Sequence, residues 1–153
     1  MADIVNSAKR SKMMSGIRRE NTGPEWQVRR YLHAQGFRYS LHRRDLPGRP
    51  DITLSGYRSV VFVHGCFWHA HRACKYAKLP GTRADFWREK LEGNRARDER
   101  HVQQLLEGGW RVAVVWECAL KGAAASTLAE LSGFLRSGHV YAEFAMNHLP
   151  KIE

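Results

Sequence analysis

The sequence predicts a single domain of the α/β class, and three observations carry the prediction. The chain has 153 residues, enough to bury one hydrophobic core and too few for two of ordinary size. Two apolar, β-branched runs, 59–63 (SVVFV) and 110–117 (WRVAVVWE), read as buried strands. Segments with apolar residues at helical spacing lie before, between and after them. Residues 1–20 are set apart as a basic N-terminal arm, and 21–153 form the domain.

In the arm, Lys9, Arg10, Lys12, Arg18 and Arg19 surround Met13, Met14 and Ile17 without a clean helical stripe. Such a segment is either a plain basic tail or an arm that lays its cations on phosphates. In the second case Met14 and Ile17 form an apolar wedge of the kind that enters a DNA minor groove. Thr22-Gly23-Pro24-Glu25 reads as a capping box, with Thr22 at N-cap and Glu25 at N3. The helix it opens runs to about Gln35, is stopped by Gly36, and buries Val28, Tyr31 and Leu32.

Residues 37–42 alternate as a strand, after which LPGRP (46–50) forces a turn that delivers Asp51 to the start of a second strand. Ser55-Gly56 predicts a hairpin from 51–54 into the strand at 57–63, bringing Asp51 near His64. Thr82-Arg83-Ala84-Asp85 opens a capped helix that carries Phe86, Trp87 and Leu91 toward Gly93. A separate helix over 94–106 buries Val102, Leu105 and Leu106, and Gly108-Gly109 ends it. The 110–117 strand follows, a last helix spans 126–135, and the tail after Gly138 carries no signal. No internal repeat, GxGxxG or P-loop occurs.

The stretch 64–74 (HGCFWHAHRAC) concentrates the chemistry at the end of a rigid strand. Cys66, His71 and Cys74 have the C-x4-H-x2-C spacing of a compact zinc loop, and Cys118, the remaining cysteine, closes a Cys3His set. Four nitrogen and sulfur ligands suit a structural Zn2+ with no open position. His69 is the alternative to His71, and three buried thiols acting as small hydrophobes are the alternative to any metal.

Composition narrows the partners. Lys+Arg number 25 against 15 Asp+Glu, a formal charge of +10 with a sequence pI near 10.0, which favours a polyanion such as DNA or structural RNA. No apolar run approaches the ~20 residues of a membrane span. Three cysteines cannot all pair within one chain, so a reducing compartment with metal-bound thiolates fits better than a disulfide framework.

LPGRPD from Leu46, FVHGCFWH from Phe62, TRADFW from Thr82 and WRVAVVWECAL from Trp110 resemble the very short patch repair endonucleases, over about Ala2 to Gly122. The resemblance implies a restriction-endonuclease-like fold, a central mixed sheet flanked by helices with a structural zinc site. It implies nicking of one DNA strand 5′ of the thymine in a T:G mismatch left by 5-methylcytosine deamination. Asp51 would bind Mg2+ directly with the Val63 carbonyl, Glu25 would orient metal-bound waters, His69 would act as general base, and His64 would offset phosphate charge. Zinc falls to Cys66, His71, Cys74 and Cys118. Phe67, Trp68 and Trp87 would intercalate from the major groove, Met14 and Ile17 from the minor groove.

Two departures stand out: an extra residue separates His71 from Cys74, and Ala70 and Arg72 thin the family's histidine run. The expected setting is a monomer in the bacterial cytoplasm at the nucleoid, with mismatch-repair proteins and DNA polymerase I downstream. A zinc-stabilised nucleic-acid-binding module without catalysis, and a restriction-type nuclease acting on intact sites, are the alternative readings.

Overall fold

A computed structural model describes residues 22–146 and the backbone of 151–152. The arm, with Met14 and Ile17, lies outside the described residues. Strands β1 (Ser40–Leu41), β2 (Ile52–Leu54), β3 (Ser59–His64), β4 (Arg111–Trp116), β5 (Tyr141–Phe144) and β6 (Lys151–Ile152) form one sheet in that spatial order. β1, β2 and β3 pair antiparallel, β3, β4 and β5 pair parallel, and β6 returns antiparallel. The protein is therefore α/β with a mixed sheet.

Helices α1 (Gly23–Ala34), α2 (Ala84–Glu107), α3 (Glu117–Gly122) and α4 (Ala124–Leu135) complete the fold. Every residue of β3 is buried, as the centre of a parallel region demands, because both faces are covered. Val61 and Val63 pack with Ala113, Val115 and the inner residues of α1, α3 and α4. Val60 and Phe62 pack with Val112, Val114 and Leu105 of α2. Each such buried aliphatic or aromatic side chain stabilises the fold by about 1.5–3 kcal/mol, so β3 offers a firmly anchored backbone to a site at its end.

Local chemistry explains where the elements depart from expectation. The strand expected over 37–42 shrinks to two residues, because Phe37 is pulled into the core and His42 adopts a left-handed φ of 48°. The tight hairpin at Ser55-Gly56 is a 3-10 turn over Ser55–Tyr57, closed by Arg58 at φ 53°.

The two helices expected around Gly93 are one helix of 24 residues. An exposed glycine costs only about 1 kcal/mol relative to alanine. Pairing of Arg95 with Glu92 and Glu99 and burial of Leu91 and Leu105 carry the helix through it. Its N-terminus has no side-chain cap; Arg83, at φ 56°, precedes it instead of a Thr82 cap. The tail after Gly138, which carries no signal in the sequence, supplies β5 and β6, and Glu117 opens α3 rather than ending β4.

Candidate active site

The turn over 46–50 determines where Asp51 stands. Gly48 has φ +75°, and a Cβ there would sit 2.8 Å from the Cβ of His101, so only glycine fits. The turn leads into β2, and the antiparallel register Ile52↔Val61 sets Asp51 beside the end of β3. The backbone N–H of Val63 donates to Asp51 Oδ2 at 2.7 Å.

Glu25 meets Asp51 from α1. It caps as expected at the backbone level, its N–H donating to Thr22 Oγ1 at 3.3 Å. Its carboxylate, however, turns inward and is 2% exposed. Glu25 Oε2 accepts from Arg29 Nη2 at 2.8 Å and lies 3.1 Å from His42 Nε2. Burial first, and the adjacent Glu25 carboxylate second, push the Asp51 carboxyl well above the usual carboxylate range, against the pull of the Val63 N–H. Two carboxylates so placed are relieved by a cation, and oxygen donors of this kind suit Mg2+.

A second group forms at the end of β3. The rings of His64 and His69 stack in parallel, with centroids 3.8 Å apart. His69 Nδ1 lies 2.6 Å from Asp98 Oδ2 of α2, and a carboxylate there must accept, which leaves Nε2 of His69 as the basic nitrogen. His64 is 5% exposed, and its Nδ1 has no hydrogen-bond partner among the described residues. Burial, then the neighbouring His69 and His71, hold His64 well below the ordinary histidine range, so it is neutral in the fold. A cleft of about 400 Å3 opens beside this pair, lined in part by Arg95, Trp116 and Glu143. Asp51 with Glu25, and His64 with His69, are thus two groups bridged through the Val63–His64 backbone.

The loop after β3 carries both the sulfur ligands and the aromatics. Donor atoms of Cys66, His71, Cys74 and Cys118 all lie within 4.8 Å of one another, with Cys118 Sγ 3.6 Å from His71 Nδ1. His71 therefore belongs to this set, and His69 is engaged by Asp98 instead. Burial and the neighbouring thiols raise Cys66 and Cys118 above the ordinary thiol range. Two or more thiolates with an imidazole are a zinc donor set. The loop bends through left-handed backbone at Ala70 and Ala73, with φ 51° and 55°.

Phe67, Trp68 and Trp87 cluster with ring centroids 5.0 to 6.0 Å apart, half-buried, with Phe86 exposed at their edge. Asn94 of α2 holds the loop by donating to the Trp68 carbonyl at 3.1 Å. They are not core residues.

Asp98, His42 and Arg29 escaped the sequence reading. Leu91, Asn94, Asp98, Val102 and Leu105 follow helical spacing, so two polar residues interrupt an inner stripe; the assumed break at Gly93 concealed it. Arg29 follows Glu25 at i+4, the spacing of a helical ion pair. For His42 the sequence carries no comparable sign.

A family model described as "DNA mismatch endonuclease Vsr" matches residues 2–75. The chain is similar to the type II nicking enzyme V.XorIIP of Xanthomonas oryzae pv. oryzae, with 51% identity over 78% of this chain and 88% of that protein. It is 47% identical to the DNA mismatch endonuclease Vsr of Escherichia coli, over 80% of this chain and 78% of that one. The type II nicking enzyme V.NmeAIP of Neisseria meningitidis is 45% identical over 81% and 88%.

Proposed function

Since the chain belongs to the Vsr family of DNA mismatch endonucleases, we propose that it nicks one strand of duplex DNA 5′ of the thymine in a T:G mismatch. Mismatch nicking is the family's activity; the T:G pair, the side of the cut and the Mg2+ requirement are our reading, as is a restriction-endonuclease-like fold for the mixed sheet and its helices. The observation that carries it is the convergence at the end of β3. Asp51 is hydrogen-bonded to Val63, next to His64, and His64 stacks on a His69 oriented by Asp98.

In this reading Asp51 would bind the catalytic ion directly, with the Val63 carbonyl as a further oxygen, and Glu25 would orient the waters on it. Bound there, Mg2+ would neutralise charge on the scissile phosphate and make water a better nucleophile. His69 Nε2 takes the proton of the attacking water as the water oxygen bonds to phosphorus and the P–O bond to the leaving oxygen breaks, that oxygen taking its proton from solvent. Asp98 keeps His69 in the tautomer that leaves this nitrogen free. His64, neutral and buried, donates to the phosphate as negative charge develops. Cys66, His71, Cys74 and Cys118 hold a structural Zn2+ that fixes the loop.

Discrimination comes from deformability, because phosphate contacts carry no sequence information. A wobble pair costs less to unstack, so Phe67, Trp68 and Trp87 insert there from one groove and Met14 and Ile17 from the other. The substrate is double-stranded DNA in the bacterial cytoplasm, and the nick hands over to mismatch-repair proteins and DNA polymerase I. The test is nicking of otherwise identical T:G and T:A duplexes with and without Mg2+. The wild-type protein should cut the mismatch alone and only with the ion, while Asp51→Ala binds but does not cut. Equal cutting of both duplexes, or parental cutting by Asp51→Ala, overturns the proposal.

A further inference from the structure

The rings at the end of β3 and β4 fall into two parallel stacks set nearly at right angles. His64 lies on His69 with centroids 3.8 Å and planes 6° apart, and Trp116 lies on His71 at 3.9 Å and 7°. The stacks are joined where Trp116 and His64 meet in a T-shaped contact at 5.2 Å and 72°, a geometry in which aromatic rings attract. His64 and Trp116 are register partners, so the backbone sets this meeting. We propose that Glu143 is a positioning residue for the histidine pair: by anchoring the Trp116 indole, it fixes the plate through which the cysteine–histidine loop braces His64. The inference rests on the roles proposed above for His64 and His69.

The parallel pairing of β4 and β5 delivers the anchor. Glu143 is the register partner of Val114, and side chains two apart on a strand share a face, so Glu143 is a diagonal neighbour of Trp116. An indole has one donor and no acceptor. Trp116 Nε1–H donates to Glu143 Oε1 at 2.7 Å, and the Tyr141 hydroxyl donates to Oε2 at 3.1 Å. Each carboxylate oxygen is thus engaged by a protein donor, which suits the group to anchoring.

The anchor matters because of what the ring touches. Trp116 is 7% exposed, and a buried donor that loses its acceptor turns toward water to regain one. The cleft lined by Trp116, Glu143 and the two catalytic histidines is the nearest way out. A turn in that direction tilts the indole off the His71 ring and away from His64 in one movement. His64 Nδ1 has no hydrogen-bond partner among the described residues, so on that side its ring is steered by packing against His69, Trp116 and Phe62. It follows its neighbours when they move.

The test uses the full chain, zinc-loaded, with histidine rings labelled for NMR and single-turnover nicking of the T:G duplex measured alongside. In Glu143→Ala the His64 ring signals should move while those of His33 and His139 stay. The nicking rate should fall about tenfold to a hundredfold, the loss caused by a displacement approaching 1 Å, with duplex affinity and zinc content unchanged. Glu143→Gln, whose amide oxygen still accepts from the indole, should restore both readouts. Trp116→Phe keeps a plate but has no N–H, so it should reproduce the loss with Glu143 intact, and adding Glu143→Ala to it should cost less than about twofold more. That pair decides the matter even if Glu143→Ala alone fails to fold. The proposal is overturned if Glu143→Ala leaves the His64 signals and the rate as in wild type, or if Glu143→Gln does not rescue. It is equally overturned if Glu143→Ala costs as much on the Trp116→Phe background as alone, since Glu143 would then act without the indole. If the wild-type protein does not nick the T:G duplex, the proposed function falls, and the ring signals alone decide this inference.

Discussion

Replacing Asp98 tests whether His69 is the base, without touching His69 itself. The Nδ1–Oδ2 distance of 2.6 Å is that of a charge-assisted hydrogen bond, worth about 1.5–3 kcal/mol. Both side chains are a quarter or more exposed, at 29% and 25%, so the lower end applies. In Asp98→Asn the amide oxygen still accepts from Nδ1–H and preserves the tautomer, but the negative charge that stabilises an imidazolium is gone. Losing about 1.4 kcal/mol from the transition state slows the step roughly tenfold.

Asp98→Ala also frees Nδ1, so the tautomer with its proton on Nε2 becomes populated. The deficit should then approach 10²-fold, the lower end for loss of a general base. The assay is single-turnover nicking of a T:G duplex at saturating enzyme, with duplex affinity and melting temperature measured alongside. Rates within about twofold of wild type for both variants, with fold and binding intact, would refute the argument.

The cysteine set should hold one Zn2+ per chain, and Cys118→Ser should lose it and lower the melting temperature; elemental analysis and calorimetry decide both. His64 is neutral in the fold but takes a proton near pH 6.5 when unfolded. Below that pH the unfolded state binds more protons, so stability should fall on acidification by about 1.4 kcal/mol per pH unit from this residue. Denaturant titration of the wild type and His64→Gln at pH 5 to 7 should show that the variant lacks this part of the slope. Phe67→Ala and Trp68→Ala should lose the preference for T:G over T:A duplexes while keeping zinc and most of the non-specific affinity; an unchanged cleavage ratio would transfer specificity to base-edge contacts.

What was legible in the sequence was local. Cys66, His71 and Cys74 declare themselves by spacing, β3 and β4 by their β-branched runs, and Asp51 by the glycine-proline turn that precedes it. What was hidden depends on chain segments meeting from a distance. Asp98 reaches His69 only because α2 runs unbroken through Gly93, and propensity alone argued for a break there. Glu25 looked fully explained as a cap, since a sequence cannot say that its backbone would cap while its carboxylate turned to Arg29 and His42. β5 alternates buried and half-buried positions over four residues, too short a pattern to stand out before β4 offers it an edge. The arm's Met14 and Ile17 rest on sequence alone.

Three of the four sulfur and nitrogen donors leave the ribosome close together, in the loop behind β3. The fourth, Cys118, arrives much later, on the first turn of α3, and its position is inherited from β4. It meets the others only if β4 has laid down parallel to β3 with His64 opposite Trp116. A slip of one residue would turn every β4 side chain to the wrong face and carry Cys118 out of reach. Closure of the donor set is therefore a proofreading event: it succeeds only on a correctly registered sheet, and the same registration assembles the end of β3 where the candidate active site lies.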